Sequence, residues 1–293
     1  MSKKMIRLLS LVALIFLVAF PLSLQLKQER AGTVEKVTAK VFCIQGETAN
    51  IAVFKGEAAL LVVDSEYPKT APDLLQKIRA ISSLPIKYLV NTHYHGDHTG
   101  GNTVIGDGAE IISHKNCQAS FLRTLEPGVD PQSKGSPQSS FETDMTLRLG
   151  DETVRLLHFD PAHTSGDTVV IFPADKVLVA GDLFFQGMAP YIDVQDGSDT
   201  ANWVRTIRRL AERYPDYRII PGHGQVTAMQ DWLKFADYLE YLRKEVKKAV
   251  AAGKTKEQAQ ESIDTSRFAY INDVGQFLTK RNNIGWIYDE LSR

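Results

Sequence analysis

The chain has 293 residues, 34 Lys and Arg against 35 Asp and Glu for a formal charge of −1, and 43% hydrophobic residues. These are ordinary values for a globular protein, with enough chain to bury one large α/β core. The balanced charge gives no basic footprint for nucleic acid, so a small-molecule substrate is the expected partner. Two cysteines, Cys43 and Cys117, exclude a disulfide framework and a CxxC pair. They read as buried small hydrophobes, with a single disulfide in an oxidising compartment as the other reading.

Residues 1–26 stand outside the fold. Lys3, Lys4 and Arg7 precede an uncharged stretch from Leu8 to Leu26, the pattern of an export signal. The stretch is nearly long enough to span a bilayer, so an uncleaved anchor is the alternative. Either way the remainder is expected to be exported: periplasmic, secreted, or held at the outer face of the cytoplasmic membrane through this segment alone.

Residues 27–40 read as a linker or a weak first strand, and residues 41–293 as one domain. VFCI, NIAVF and ALLVVD, between Val41 and Asp64, predict strands punctuated at Gly46 and Gly56. A helix follows, with Thr70 as N-cap, Pro72 in its first turn, and Leu74, Leu75, Ile78 and Ile81 on one face. IKYLV (86–90) predicts a buried strand that runs into NTHYHGDHTGGN, then a short strand–helix segment to Leu125. Glu126–Ser140, rich in Pro, Gly and Ser, reads as a long exposed loop.

MTLRLG, TVRLLHF, TVVIFP and KVLVAGD predict a second series of strands. Asp199 or Thr200 caps a helix whose inner face is Trp203, Ile207, Leu210 and Tyr214. YRIIPGHG reads as a last strand and loop. Trp232, Phe235, Leu239, Leu242 and Val246 mark a long helix stopped near Gly253. Lys256–Arg293 reads as a helical, amphipathic tail. Strands followed by a helix occur twice, which predicts two similar α/β halves packed face to face.

Six of the seven histidines lie between His93 and His163. The segment His93-Tyr94-His95-Gly96-Asp97-His98 puts three imidazoles and a carboxylate, the ligand types of open catalytic zinc sites, directly after a buried strand. On a loop, alternate residues point to one side, so His93 and His95 would grip one metal while Asp97 and His98 turn toward a second. Glycines at 96, 100 and 101 let the backbone take so tight a path. His163, Asp182 and His223 each follow an apolar run, where a strand end would hold a ligand rigidly. His114 and His158 read as structural. Tyr94 points into the groove or into its wall, and Asp167 holds a loop or a ligand imidazole.

With HxHxDH at 93–98, Asp64 ending an early strand, AHTSGD at 162–167, GD at 181–182 and PGHG at 221–224, the sequence resembles the metallo-β-lactamase superfamily from about Val41 to Ala252. The resemblance implies an αβ/βα four-layer sandwich with two Zn²⁺ ions in a groove at its edge, iron or manganese being the other candidates. It implies His93, His95 and His163 on one ion, Asp97, His98 and His223 on the other, Asp182 bridging, and Asp64 close by but not a ligand. It implies a hydrolase in which a metal-bridging hydroxide, oriented by Asp97 as the catalytic residue, attacks a carbonyl, with β-lactam amides as main or side substrates.

Dedicated β-lactamases carry Cys or Ser where this chain has Asp182, so Asp182 resembles the glyoxalase II and lactonase branches and makes a thioester or lactone the alternative substrate. A mononuclear-iron persulfide dioxygenase is a further alternative. The resemblance also places the 126–140 loop near the metal edge, where it would help set substrate choice; the competing reading is a surface insertion away from the groove.

Overall fold

The computed structural model describes residues 32–293, so the proposed export segment lies outside the described residues. Thirteen strands form two sheets. The first sheet runs in sequence order: β1 (Val34–Lys36), β2 (Val41–Gln45), β3 (Asn50–Lys55), β4 (Leu60–Val63), β5 (Ile86–Val90), β6 (Glu110–His114) and β7 (Ser139–Phe141). Its pairs are antiparallel as far as β4 and parallel from β4 to β7. Residues 34–36, in the stretch read as linker or weak first strand, form its edge strand.

The second sheet has the order β13 (Thr227–Ala228), β12 (Arg218–His223), β11 (Val177–Phe185), β10 (Val169–Phe172), β9 (Glu152–Leu157) and β8 (Asp144–Leu149). Only β11 and β12 pair in parallel within it. The helices are α1 (Ala71–Ile81), α2 (Gly96–Thr99), α3 (Asn102–Ile105), α4 (Lys115–Thr124), α5 (Thr200–Arg213), α6 (Met229–Ala251), α7 (Lys256–Ser262) and α8 (Lys280–Leu291).

The period-2 alternation of strand side chains builds the layers. Ala52, Phe54, Leu61 and Val63 face the other sheet, where they meet Val170, Phe172, Val177 and Val179; the Phe54 and Phe172 rings stack with centroids 5.0 Å apart. The alternate residues Ile51, Val53, Leu60 and Val62 face outward onto Leu74 and Ile78 of α1. In the second sheet Val169, Ile171, Leu178 and Ile219 pack on Trp203 and Ile207 of α5 and Trp232 and Phe235 of α6. The result is the four-layer αβ/βα sandwich that the resemblance implied. Asp199 caps α5 by accepting from the N–H groups of Ala201 and Asn202, and the indole N–H groups of Trp203 and Trp232 both donate to the carbonyl of Leu183 at 2.9 Å.

Several expectations change. Thr70 precedes α1 but makes no capping bond; its backbone is already helical and its hydroxyl donates to Glu66 at 2.7 Å. Cys43 and Cys117, by contrast, are buried and unpaired, as their reading as small hydrophobes expected. The tail is not continuously helical: between α7 and α8 the chain makes a short 3-10 turn at Ser266–Phe268 and an irregular segment to Thr279.

The 126–140 loop docks at its far end on Asn102, whose side chain also pairs with Asn91, the residue that follows β5. Parallel β6 and β7 require α4 and the loop to carry the chain back along the sheet, where Ser139 pairs beside Ile112. Residues 135–137 are buried there, Asn102 donates to the carbonyl of Gly135, Lys134 pairs with Asp107, and strand β7 begins at Ser139. Residues 126–132 are exposed, as the reading of a long exposed loop expected. No helix of the described residues is long and apolar enough to cross a membrane.

Candidate metal centre

β5 delivers the chain into buried Asn91 and Thr92, and a bent segment through His93 and Tyr94 leads to His95, whose backbone is extended. The His93 and His95 rings meet edge to face with centroids 4.6 Å apart, and the Tyr94 ring lies 4.7 Å from that of His95. The single turn of α2, not foreseen from sequence, then carries Asp97 and His98 to a second position. None of Gly96, Gly100 and Gly101 has positive φ. Gly101 is needed for close approach instead, since a Cβ there would sit 2.1 Å from the carbonyl oxygen of Ser65.

The other donors depart from simple strand ends. His223 is the last residue of β12. Asp182 lies inside β11, next to Gly181 (φ 52°), where the pairing with β12 shifts register. His163 sits in the connection between β9 and β10, beyond the strand end.

All seven residues converge on two adjoining groups, His93, His95, His163 and Asp182, and Asp97, His98 and His223. In the first, His95 Nδ1 lies 3.0 Å from His93 Nε2 and 3.2 Å from His163 Nε2. A tetrahedral zinc with bonds of roughly 2.0–2.1 Å separates its ligand atoms by about 3.3 Å. Asp182 stands between the groups. Its Oδ2 is 3.5 Å from His163 Nε2 and 3.7 Å from His93 Nε2, while its Oδ1 is 3.1 Å from the Nε2 atoms of both His98 and His223. Asp97 Oδ2 completes the second group at 3.7 Å from His98 and 3.6 Å from His223. His95, Asp97 and His223 are partly exposed and the other four are buried, so the centre opens to solvent over those three.

Each imidazole is held from outside by its other nitrogen, as metal-ligating histidines are. His163 Nδ1 donates to the carbonyl of Tyr191 at 3.0 Å and His223 Nδ1 to that of Thr48 at 2.8 Å. His98 Nδ1 meets Asp64 Oδ2 at 2.8 Å and His95 Nε2 meets Asp193 Oδ2 at 3.0 Å. The Thr92 hydroxyl donates to Asp64 at 2.8 Å, so it accepts from His93 Nδ1 at 3.1 Å. In the neutral tautomers these bonds select, the three inner nitrogens of the first group present lone pairs to one another, an arrangement that calls for a cation.

The second group says the same. His98 Nε2 and Asp182 Oδ1, both buried, have no hydrogen-bond partner despite lying 3.1 Å apart, and buried polar atoms without partners are rare. Burial and the charge of His98 push His93 well below the usual histidine range, and burial pushes His163 down to about 3. Burial opposes charge on His98, but Asp182, Asp97 and Asp64 outweigh it and raise its pKa well above the usual value. Burial likewise would raise Asp182, and the neighbouring His223 and His98 instead hold it well below the carboxylate range. The pocket thus demands positive charge, and the donor set fits divalent metal.

Three supporting residues escaped the sequence reading. Asp193 accepts from both Tyr94 Oη, at 2.6 Å, and His95, which also places Tyr94 in the wall. Glu66, fully buried, accepts from Thr48 and Ala49 and so fixes the turn whose carbonyl holds His223. Asn50 donates to the carbonyls of Pro221 and Gly224, each at 2.9 Å, and pins the His223 loop to the other sheet. Asp64 lies outside the donor groups. Asp167 clamps its own loop through the N–H and hydroxyl of Thr164, at 2.9 and 2.7 Å. His114 and His158 stack on each other at 3.6 Å, away from the donors.

Comparison with known proteins agrees with this geometry. The family model described as "Metallo-beta-lactamase superfamily" matches residues 45–223. The chain is 25% identical over 67% of its length to the 2,4-dinitroanisole O-demethylase subunit alpha of a Nocardioides species, covering 58% of that protein. It is 29% identical over 59% of its length to the hydroxyacylglutathione hydrolase of Methylococcus capsulatus, covering 60% of it. The matches thus span about three fifths of these relatives. Among solved structures, a metallo-beta-lactamase from Pontibacter korlensis superposes with a TM-score of 0.60 at 24% identity, over 71% of this chain and 98% of that one. With the fold, the donor set and the matched residues in agreement, the chain belongs to the metallo-β-lactamase superfamily.

Proposed function

We propose that this chain is a zinc-dependent hydrolase that opens a carbonyl compound at a two-metal centre, His93, His95 and His163 holding one ion, Asp97, His98 and His223 the other, and Asp182 joining them. The observation that carries this reading is the set of inward donor atoms: His95 Nδ1 lies 3.0 and 3.2 Å from the inner nitrogens of His93 and His163, beside a buried Asp182 oxygen without a hydrogen-bond partner. A divalent metal pair supplies Lewis acidity toward a carbonyl and a nucleophile at neutral pH.

The chain's own residues do the rest. Asp193 and the carbonyls of Tyr191 and Thr48 fix the imidazole tautomers, so the donors need little rearrangement to act. Asp97, at the open side, orients the attacking water. The buried floor of His93, His98, His163 and Asp182 keeps bulk solvent from beneath the reacting groups.

β-Lactam amides are one substrate class of this proposal, in keeping with the lactamase fold. A thioester or lactone is the second, favoured by a carboxylate at position 182 and by the relative named as a hydroxyacylglutathione hydrolase. The substrate is a small molecule, and the basic-then-apolar N-terminus supports action outside the cytoplasm.

The test is turnover of a penicillin, a cephalosporin, a thioester and a lactone by zinc-loaded protein, with elemental analysis and chelator controls. We expect about two metals per chain, chelator-sensitive hydrolysis of at least one substrate, and loss of both in Asp182→Ala. Iron in place of zinc, a firm count of one metal, or activity indifferent to chelator would overturn it.

A further inference from the structure

The irregular segment between α7 and α8 ends in a tight turn. Val274 and Leu278 form an isolated antiparallel bridge with bonds of 2.8 and 3.3 Å, and Gly275 has φ 62°. The backbone of the turn is pinned. Asn282 donates from its side chain to the carbonyls of Gln276 and Phe277, at 3.1 and 2.7 Å, and Thr279 caps α8. The whole segment is tied to the loop that follows β11, where Ala189 N–H donates to the carbonyl of Asn272 at 2.9 Å and Asn272 N–H to that of Gly187 at 3.0 Å.

Phe277 sits at the tip of this turn and is 58% exposed, the most exposed large hydrophobic residue among the described residues. Fixed backbone beneath an exposed phenyl is a poor arrangement for stability, since the ring gains little from burial. Its position supplies a reason. The ring lies 5.3 Å from that of Tyr191 and 5.2 Å from that of Trp286. Tyr191 in turn lies 5.4 Å from the ring of His95 and 6.2 Å from that of His163. A continuous aromatic wall therefore leads from two donors of the first group to a solvent-facing edge.

We propose that Phe277 is a specificity-determining residue: with Tyr191 and Trp286 it forms a subsite for the hydrocarbon or aromatic portion of the substrate, on the His95 side of the centre. This rests on the hydrolase reading for the identity of the reacting end, while the wall itself is a matter of geometry. The backbone that carries the ring is fixed in advance of binding, so covering the ring with an apolar group costs little backbone ordering. Binding modes that place a substrate's polar group at the metals and its apolar arm along this wall are preferred over those that leave the arm in water.

The test is calorimetric titration of the zinc-loaded protein with acetate, hexanoate and 6-phenylhexanoate, whose carboxylate takes the metal end and whose arm spans two ring-to-ring steps. The phenyl compound should bind roughly ten-fold more tightly than hexanoate, the equivalent of about 1.4 kcal/mol. Phe277→Ala should reduce that advantage to less than about two-fold, with zinc content, melting temperature and acetate affinity unchanged, and Phe277→Leu should fall between. An unchanged phenyl advantage in Phe277→Ala overturns the subsite even if hydrolysis is observed. Sedimentation showing a dimer that Phe277→Ala dissolves would also overturn it, since the ring would then be covered by a second copy. A phenyl advantage that depends on Phe277 in a protein that hydrolyses none of the panel upholds the subsite and refutes only the hydrolase reading.

Discussion

Gly222→Ala removes no donor atom, yet it should disable the centre. A Cβ at Gly222 would lie 2.0 Å from Asp182 Oδ1, 2.7 Å from the carbonyl carbon of Gly181 and 2.9 Å from the amide nitrogen of Asp182. Ordinary carbon contacts begin near 3.5 Å, so the carboxylate must retreat by roughly 1–1.5 Å. The backbone beneath it cannot yield without disturbing the pairing of Gly181 with Pro221. A displacement of this size in a positioned group costs about a hundred-fold in rate, and loss of ligand support costs about 10–100-fold in metal affinity. The fold should lose only about 1–3 kcal/mol, the usual range for overpacking.

The assay pairs zinc competition against a chromophoric chelator with urea unfolding of the metal-free protein. The double variant sharpens it: on an Asp182→Ala background, Gly222→Ala should add little further loss of zinc affinity, because the group it displaces is gone. Wild-type zinc affinity and turnover in Gly222→Ala would refute the reasoning.

Asp193→Ala should free His95 and lower metal affinity about 10–100-fold, with metal titration showing one weakened site and one intact; equal weakening of both would contradict the grouping. The His114–His158 stack predicts a pH effect. Burial, then the neighbouring His158, lowers His114 to about 4, and burial lowers His158, so both fold neutral. Their contribution is present above the unfolded value of about 6.5 and is lost as pH falls toward 4. In metal-free protein, His158→Phe should make the stability slope between those limits shallower, and equal slopes by urea unfolding would count against it. Replacing residues 127–133 with a Gly-Ser linker keeps the anchors at Lys134 and Gly135; the surface-insertion reading expects kcat/KM unchanged across the substrate panel, and altered preference would put the loop at the groove.

The donor residues were legible because the chemistry is locally dense. Three imidazoles and a carboxylate within six residues have few structural explanations, and a buried strand before them supplies the rigid base. The strands were legible because alternation such as Ile51, Val53 against Ala52, Phe54 maps directly onto two faces. Contacts between segments distant in sequence were not. Asp193 meets His95 across 98 positions and Thr48 meets His223 across 175, and no local pattern announces either. Asp182 was found, but its seat on an irregular stretch of β11 was not, because a bulge depends on the partner strand. Phe277 read as part of an amphipathic tail; only the Thr279 cap and Gly275 hinted that the helix is broken there.

The shared carbonyl of Leu183 gives the protein an internal optical probe. It takes the indole N–H of both Trp203 and Trp232, one residue past Asp182. The chain's third tryptophan, Trp286, lies 5.2 Å from Tyr191, the residue whose carbonyl holds His163. The intrinsic tryptophan emission thus originates beside Asp182 and within the candidate substrate wall. Two of the emitters report on the strand that carries Asp182, and the third reports on the edge that Phe277 extends. Ion loading and ligand entry can then be sought in the unlabelled chain, from two buried indoles beside Asp182 and one partly buried indole at the outer edge.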